Sequence, residues 1–170
     1  MISIDNTVSK TIVDNVSFLK YIHPNVLTVS GIFLTYLISR ELFKKNKSIA
    51  ILFVLLTFRW LVDCLDGSVA RKYNKGSKIG GVLDTVSDFI FISMISFYFI
   101  ETFKMSKFWY GVIIVFELFF IFGYDALSDH SKAKKYNGGV KDIVPFCIDN
   151  TILMFIIIFV IIYCIQCKKR

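Results

Sequence analysis

The sequence predicts an all-α fold, a polytopic bundle of membrane-spanning helices preceded by an amphipathic surface helix. Three observations carry this prediction. Of the 170 residues, 55% are hydrophobic and 16% aromatic, and the mean hydropathy is +0.63; soluble domains hold roughly 45–50% apolar residues. The apolar residues are gathered into blocks rather than spread along amphipathic faces. Only 2 prolines occur and no long Gly/Ser-rich linker divides the chain. Residues 1–170 are therefore read as one domain, with 1–22 a juxtamembrane segment and 23–170 the bundle.

The elements follow in order. Val8, Ile12, Val16 and Leu19 recur at helical spacing, which predicts an amphipathic helix lying on the membrane surface before Pro24 breaks it. The same segment lacks an apolar core and carries Asp5 and Asp14, unlike a cleavable signal peptide. Five apolar blocks then appear at 25–43, 49–66, 82–103, 108–124 and 143–167, each near the ~20 residues a helix needs to cross a bilayer core. The last offers no polar face. The second and third are apolar over only part of their length, because aspartates occupy their facing ends.

The net charge of +7 suits contact with the anionic headgroups of membrane lipids. Its lysines are scattered over short loops rather than aligned in a stripe, so nucleic acid is not an expected partner. Orientation is not decided by charge: the loops on one side hold ten Lys and Arg residues and those on the other hold nine. Cys164 and Cys167 have CxxC spacing but no partner pair, so neither a disulfide framework nor a zinc site is expected.

The segment VDCLDGSVARKYNKGSKIGGVLDTVSDF, residues 62–89, departs from this greasy background. It places Asp63 and Asp66 three residues apart and Asp84 and Asp88 four apart, and on helices each pair shares a face. Arg59 precedes Asp63 by four residues on the same face. A short polar connection from Arg71 to Ile79, with Gly76 to help it turn, predicts an antiparallel helix pair that brings four carboxylates together. A charged side chain within a bilayer costs about 2.5–3.5 kcal/mol at its centre, and like charges at short range add to that. Arg59 and Arg71 offset two aspartates; a divalent cation offsets the rest, and acidic oxygen donors favour Mg²⁺ or Mn²⁺. Gly67, Gly80 and Gly81 let a bulky anion approach the backbone, and Arg71 supplies a fork suited to phosphate. The alternatives are a charge network that only fixes helix packing, and a carrier for divalent cations. Against a carrier, the carboxylates gather at one membrane face and no inverted repeat is visible.

Asp63, Asp66, Gly67, Ala70 and Arg71, then eight residues, then Gly80, Asp84 and Asp88: this pattern resembles the signature of the CDP-alcohol phosphotransferase family. A weaker likeness lies in HPNVLT at 23–28, similar to that family's entry into its first helix. The resemblance implies a transferase of phospholipid synthesis that uses two metal ions, Mg²⁺ or Mn²⁺. Asp63, Asp66 and Asp84 would hold metal. Asp88 would be the general base for the alcohol acceptor and would share the second ion. The donor would be a CDP-linked lipid or alcohol, with CMP released. Gly67, Ala70, Arg71, Ser77 and Gly80 would line the CDP site, with Asn25 and Thr28 closing it; Asn25 has an equal alternative as a helix cap. The resemblance also implies six spans rather than five, a site facing the cytoplasm, and a homodimer. Lys132, Lys134 and Lys135 are candidates for holding an anionic acceptor such as a phosphorylated polyol. Two directions of transfer stay open, phosphatidyl transfer from CDP-diacylglycerol and head-group transfer from CDP-choline or CDP-ethanolamine to diacylglycerol.

Overall fold

The computed structural model describes residues 4–106, 108–115 and 151–168. They form α1 (Ile4–Asn15), a 3-10 helix (Ser17–Tyr21), α2 (Pro24–Leu42), α3 (Ile49–Lys72), α4 (Lys78–Phe103) and α5 (Thr151–Lys168); residues 108–115 are helical as well. No strand occurs among the described residues.

Each helix start has a local cause. Pro24 opens α2, where its missing N–H costs nothing, and His23 caps it by accepting a 3.2 Å hydrogen bond from the Asn25 N–H. Ser48 caps α3 and Ser77 caps α4, the latter accepting from the Gly80 N–H at 2.9 Å. Helix α3 does not stop at residue 66 as the apolar block implied. It runs 24 residues to Lys72, so Arg71, with which the connection was expected to begin, sits on helix with Gly67 and Ala70. The turn that follows is made by Asn74, at φ 52, and no glycine among the described residues has positive φ. Gly76 is thus not the pivot; asparagine tolerates the left-handed region well enough to serve.

Helix α1 forms as expected, and the stripe it packs against the protein is not the apolar one expected to lie on the membrane. Asp5, Ser9 and Val13 are its buried positions, whereas Val16 is exposed. The reason lies in its partner, the polar C-terminal half of α3. The Trp60 indole N–H donates to Asp5 Oδ1 at 3.2 Å, Ser68 Oγ to Ser9 Oγ at 2.7 Å, and Lys72 Nζ to Asp14 Oδ1 at 2.7 Å. Val13 joins Leu19, Leu65 and Val69 in a small apolar cluster at that end.

Helix α2 packs against both α3 and α4, whereas the α3 and α4 backbones make little direct approach. The expected antiparallel pair is nonetheless present and meets through side chains, Arg59 of α3 bonding Ser87 and Asp88 of α4, with α2 as a shared wall against both. The main core lies beyond the aspartates, where Ile38, Leu42, Leu52, Leu56, Phe91, Ile95, Tyr98, Ile158 and Ile162 meet. Among the described residues Lys78–Phe103 is long and apolar enough to cross a bilayer. Outward-facing rows add to this: Val26, Val29, Phe33 and Tyr36 on α2, and Ile79, Val82, Val86 and Ile90 on α4, are all exposed. Apolar rows of that extent rarely face water. Of the last two expected spans, residues 116–124 and 143–150 lie outside the described residues.

Candidate active site

The site is built where α2, α3 and α4 meet. Asp63, Asp84 and Asp88 each turn one carboxylate oxygen to a common point, and these oxygens lie within 4.8 Å of one another. Asp66 stands apart from that group. It is 5% exposed and accepts a 2.8 Å hydrogen bond from Thr28 Oγ1 of α2. Three residues along a helix leave Asp66 rotated about 60° from Asp63, enough to face α2 instead of α4. The fourfold convergence expected from spacing is thus three carboxylates together and one beside them.

Arg59 closes the inner side. It is 2% exposed, and its Nη1 donates to Asp63 Oδ1 at 2.7 Å while Nη2 donates to Asp88 Oδ1 at 2.8 Å and Ser87 Oγ at 3.2 Å. Because the α3 and α4 backbones stand apart here, this long side chain spans the distance between them. The second oxygens of Asp63 and Asp88, and both oxygens of Asp84, take no hydrogen bond among the described residues. Carboxylates this close repel one another, and unpartnered oxygens at this spacing suit a hard divalent cation such as Mg²⁺ or Mn²⁺. The donor set fits the metal that the sequence pattern implies.

A cavity of about 250 Å³ adjoins the cluster. Asn25, Thr28, Gly67, Ala70, Arg71, Ser77 and Gly80 all line it, together with Asp66 and Asp84. Every residue assigned to the CDP site is therefore on one surface. His23 does the capping of α2, so the cap alternative for Asn25 is not what the side chain does; it reaches toward Gly80 instead. A methyl group on Gly80 would stand 2.8 Å from Asn25 Oδ1 and 3.1 Å from Ser77 Oγ. Gly80→Ala is accordingly expected to push Asn25 aside and disturb the Ser77 cap. Affinity for the CDP-linked donor that the sequence pattern implies should fall on the order of tenfold, as read by titration with the protein still folded.

Lys75 also lines this cavity and escaped sequence reasoning, since a lone lysine in a basic loop gives no distinguishing signal. Gly31, which faces the Arg59 guanidinium from α2, was equally invisible. Lys132, Lys134 and Lys135 lie outside the described residues.

With this geometry in hand, the comparison with known families is decisive. Residues 21–167 match the model of the CDP-alcohol phosphatidyltransferase family. The chain belongs to that family. An archaetidylinositol phosphate synthase of Pyrococcus horikoshii is 40% identical over 67 residues, which is 39% of this chain and 35% of that protein. A CDP-diacylglycerol–glycerol-3-phosphate 3-phosphatidyltransferase of Aquifex aeolicus is 34% identical over 85 residues, 49% of this chain and 47% of its own. An uncharacterised protein of the same organism is 39% identical over 72 residues. The match thus spans between a third and a half of these curated relatives. No solved structure matches the chain. Nothing in these relationships speaks for the expected homodimer. Within the family pattern all eight signature positions are filled here, and the cluster and cavity gather them.

Proposed function

We propose that this chain is a metal-dependent, multi-pass membrane transferase that moves a phosphatidyl group from CDP-diacylglycerol to an alcohol and releases CMP. One observation carries the reading: Asp84 belongs both to the carboxylate cluster and to the cavity lined by the seven assigned CDP contacts. A pyrophosphate seated in that cavity would lie against the cluster.

Asp63, Asp66, Asp84 and Asp88 are the residues that hold metal, and a bound divalent ion supplies charge neutralisation for the pyrophosphate oxygens. Gly67 and Gly80 let the donor approach two helix backbones, and the Arg71 fork pairs with phosphate. Asp88 has one oxygen fixed by Arg59; its other oxygen accepts the proton of the acceptor hydroxyl. The acceptor oxygen then bonds to the phosphorus distal to cytidine, the P–O bond to CMP breaks, and CMP departs with the bonding pair. Apolar outward rows on α2 and α4 support a reaction at the membrane, where a lipid donor resides, and the site is read as opening to the cytoplasm.

Both named relatives carry a phosphorylated polyol in their names, inositol phosphate in one and glycerol-3-phosphate in the other. The acceptor assigned here is of that class, with Lys132, Lys134 and Lys135 as its countercharge. The test offers purified protein CDP-diacylglycerol with glycerol phosphate, inositol phosphate, inositol or serine, and separately CDP-choline or CDP-ethanolamine with diacylglycerol. Lipid products are then resolved by chromatography. A product from one phosphorylated acceptor is expected; a product only from diacylglycerol would instead establish head-group transfer.

A further inference from the structure

A second cavity lies behind the first. Its volume is about 390 Å³, and it is lined by Lys10, Val13 and Asp14 of α1 and by Ser68, Arg71 and Lys72 of α3. At about 100° per residue, Ser68 and Lys72 stand about 140° and 180° round α3 from Asp63. This space therefore opens on the back of the helix that carries the carboxylates. Arg71 is common to both cavities. Its guanidinium lies across the ridge between them. A methyl on Gly67, which lines the donor cavity, would stand 3.3 Å from Arg71 Nη1, while Nη2 donates to Ser68 Oγ at 3.3 Å.

The lining brings three cationic side chains against one carboxylate. That carboxylate, Asp14, is taken by Lys72 at 2.7 Å, and Lys72 also donates to the Val13 carbonyl at 2.9 Å. Lys10 is exposed and makes no hydrogen bond among the described residues. Lys10 from α1 and the Arg71 fork from α3 thus face one space, a pairing suited to phosphate. The surroundings indicate whose phosphate. Helix α1 and the turn after it expose Ile4, Val16, Phe18 and Tyr21, apolar and aromatic groups of the kind that settle at the headgroup level of a bilayer. A basic cavity between helices at that level is a seat for a lipid headgroup.

We infer that the cavity between α1 and α3 seats the phosphate headgroup of an anionic membrane phospholipid, which draws on the Arg71 fork and so weakens the hold on the donor's pyrophosphate. The coupling rests on the functional reading above, in which Arg71 pairs with the donor; the lipid site itself does not. The lipid product of that reading is an anionic phospholipid, so product gathering in the membrane restrains further turnover.

Binding tests this without recourse to turnover. Purified protein in neutral detergent is titrated with dioctanoyl phosphatidylglycerol, dioctanoyl phosphatidylcholine or free glycerol phosphate, and bound ligand is followed by native mass spectrometry. A parallel titration reads the affinity for CDP with Mg²⁺ at each level of lipid. Phosphatidylglycerol should bind Lys10→Gln about fivefold more weakly than wild type, and Lys10→Glu more weakly still. Lys45→Glu, an equal change of charge in the connection between α2 and α3, should bind as wild type does. Neither phosphatidylcholine nor glycerol phosphate should show a dependence on Lys10. In wild type, phosphatidylglycerol should lower the affinity for CDP about fivefold, and in Lys10→Glu by less. Wild-type lipid binding by folded Lys10→Glu, or an equal loss in Lys45→Glu, would overturn the site. Glycerol phosphate binding that depends on Lys10 would overturn the lipid as its occupant. Lipid binding as expected with an unmoved CDP affinity would overturn the coupling through Arg71. An absence of CDP binding beside Lys10-dependent lipid binding would overturn the transferase reading and its coupling, and leave the lipid site standing.

Discussion

Asp88→Asn is expected to lower the rate of CMP release by two to four orders of magnitude, roughly the contribution of a positioned general base, while donor binding stays near wild type. The structure makes the fold tolerant of this change. Asp88 uses one oxygen to accept from Arg59 at 2.8 Å, and an asparagine carbonyl accepts the same bond. Arg59 keeps its place through that bond and its 2.7 Å bond to Asp63, so the fold is not the casualty. The ability to take a proton is lost instead, together with the charge that Asp88 lends the metal cluster. Near-normal turnover in this variant would remove Asp88 from the general-base role.

Asp84→Asn should be almost as damaging, for another reason. Asp84 takes part in the carboxylate cluster and lines the donor cavity, yet no hydrogen bond holds it among the described residues. Removing its charge costs the fold nothing and relieves repulsion from its neighbours. In EDTA, therefore, thermal unfolding should occur at the same temperature as wild type or slightly higher. Metal affinity and CMP release should fall together, by at least about a hundredfold, or about 2.7 kcal/mol. A marked drop in the EDTA melting temperature would mean that Asp84 is structural rather than a ligand.

Much of this site was legible in the chain because helical periodicity converts spacing into geometry. Asp63 following Arg59 by four residues, and Asp88 following Asp84 by four, specified shared faces, and the Arg59–Asp63 ion pair at 2.7 Å is the direct result. The same rule applied at three residues was too coarse: Asp66 turned to Thr28 instead of joining Asp63. What sequence could not supply was which helices are neighbours. That α2 stands against both α3 and α4 depends on non-local packing, in which Gly31 and Thr28 present small surfaces to Arg59 and Asp66.

Apolar patterning gave the outward face of one helix but not the face that packs on the protein. Val8, Ile12, Val16 and Leu19 were expected to lie along the membrane surface; toward the protein, the helix buries Asp5, Ser9 and Val13, and the following turn buries Leu19. In water the apolar stripe seeks the protein. Beside a bilayer the apolar surroundings are already present, and the polar groups seek each other instead. The hydroxyl pair of Ser9 and Ser68 and the Trp60–Asp5 bond follow that logic. The helix thereby braces the stretch of α3 that carries Asp63, Asp66 and Arg71.

The central claim, that these carboxylates and the adjoining cavity perform a metal-dependent displacement on a CDP-linked lipid, is tested most directly by measuring CMP. Purified protein in lipid-containing micelles is given CDP-diacylglycerol and a phosphorylated polyol, with Mg²⁺, Mn²⁺ or EDTA. CMP released only when metal and acceptor are both present is the expected result. No CMP from folded, metal-bound protein with any acceptor would contradict the claim, and would leave the cluster as a cation carrier site or a structural charge network.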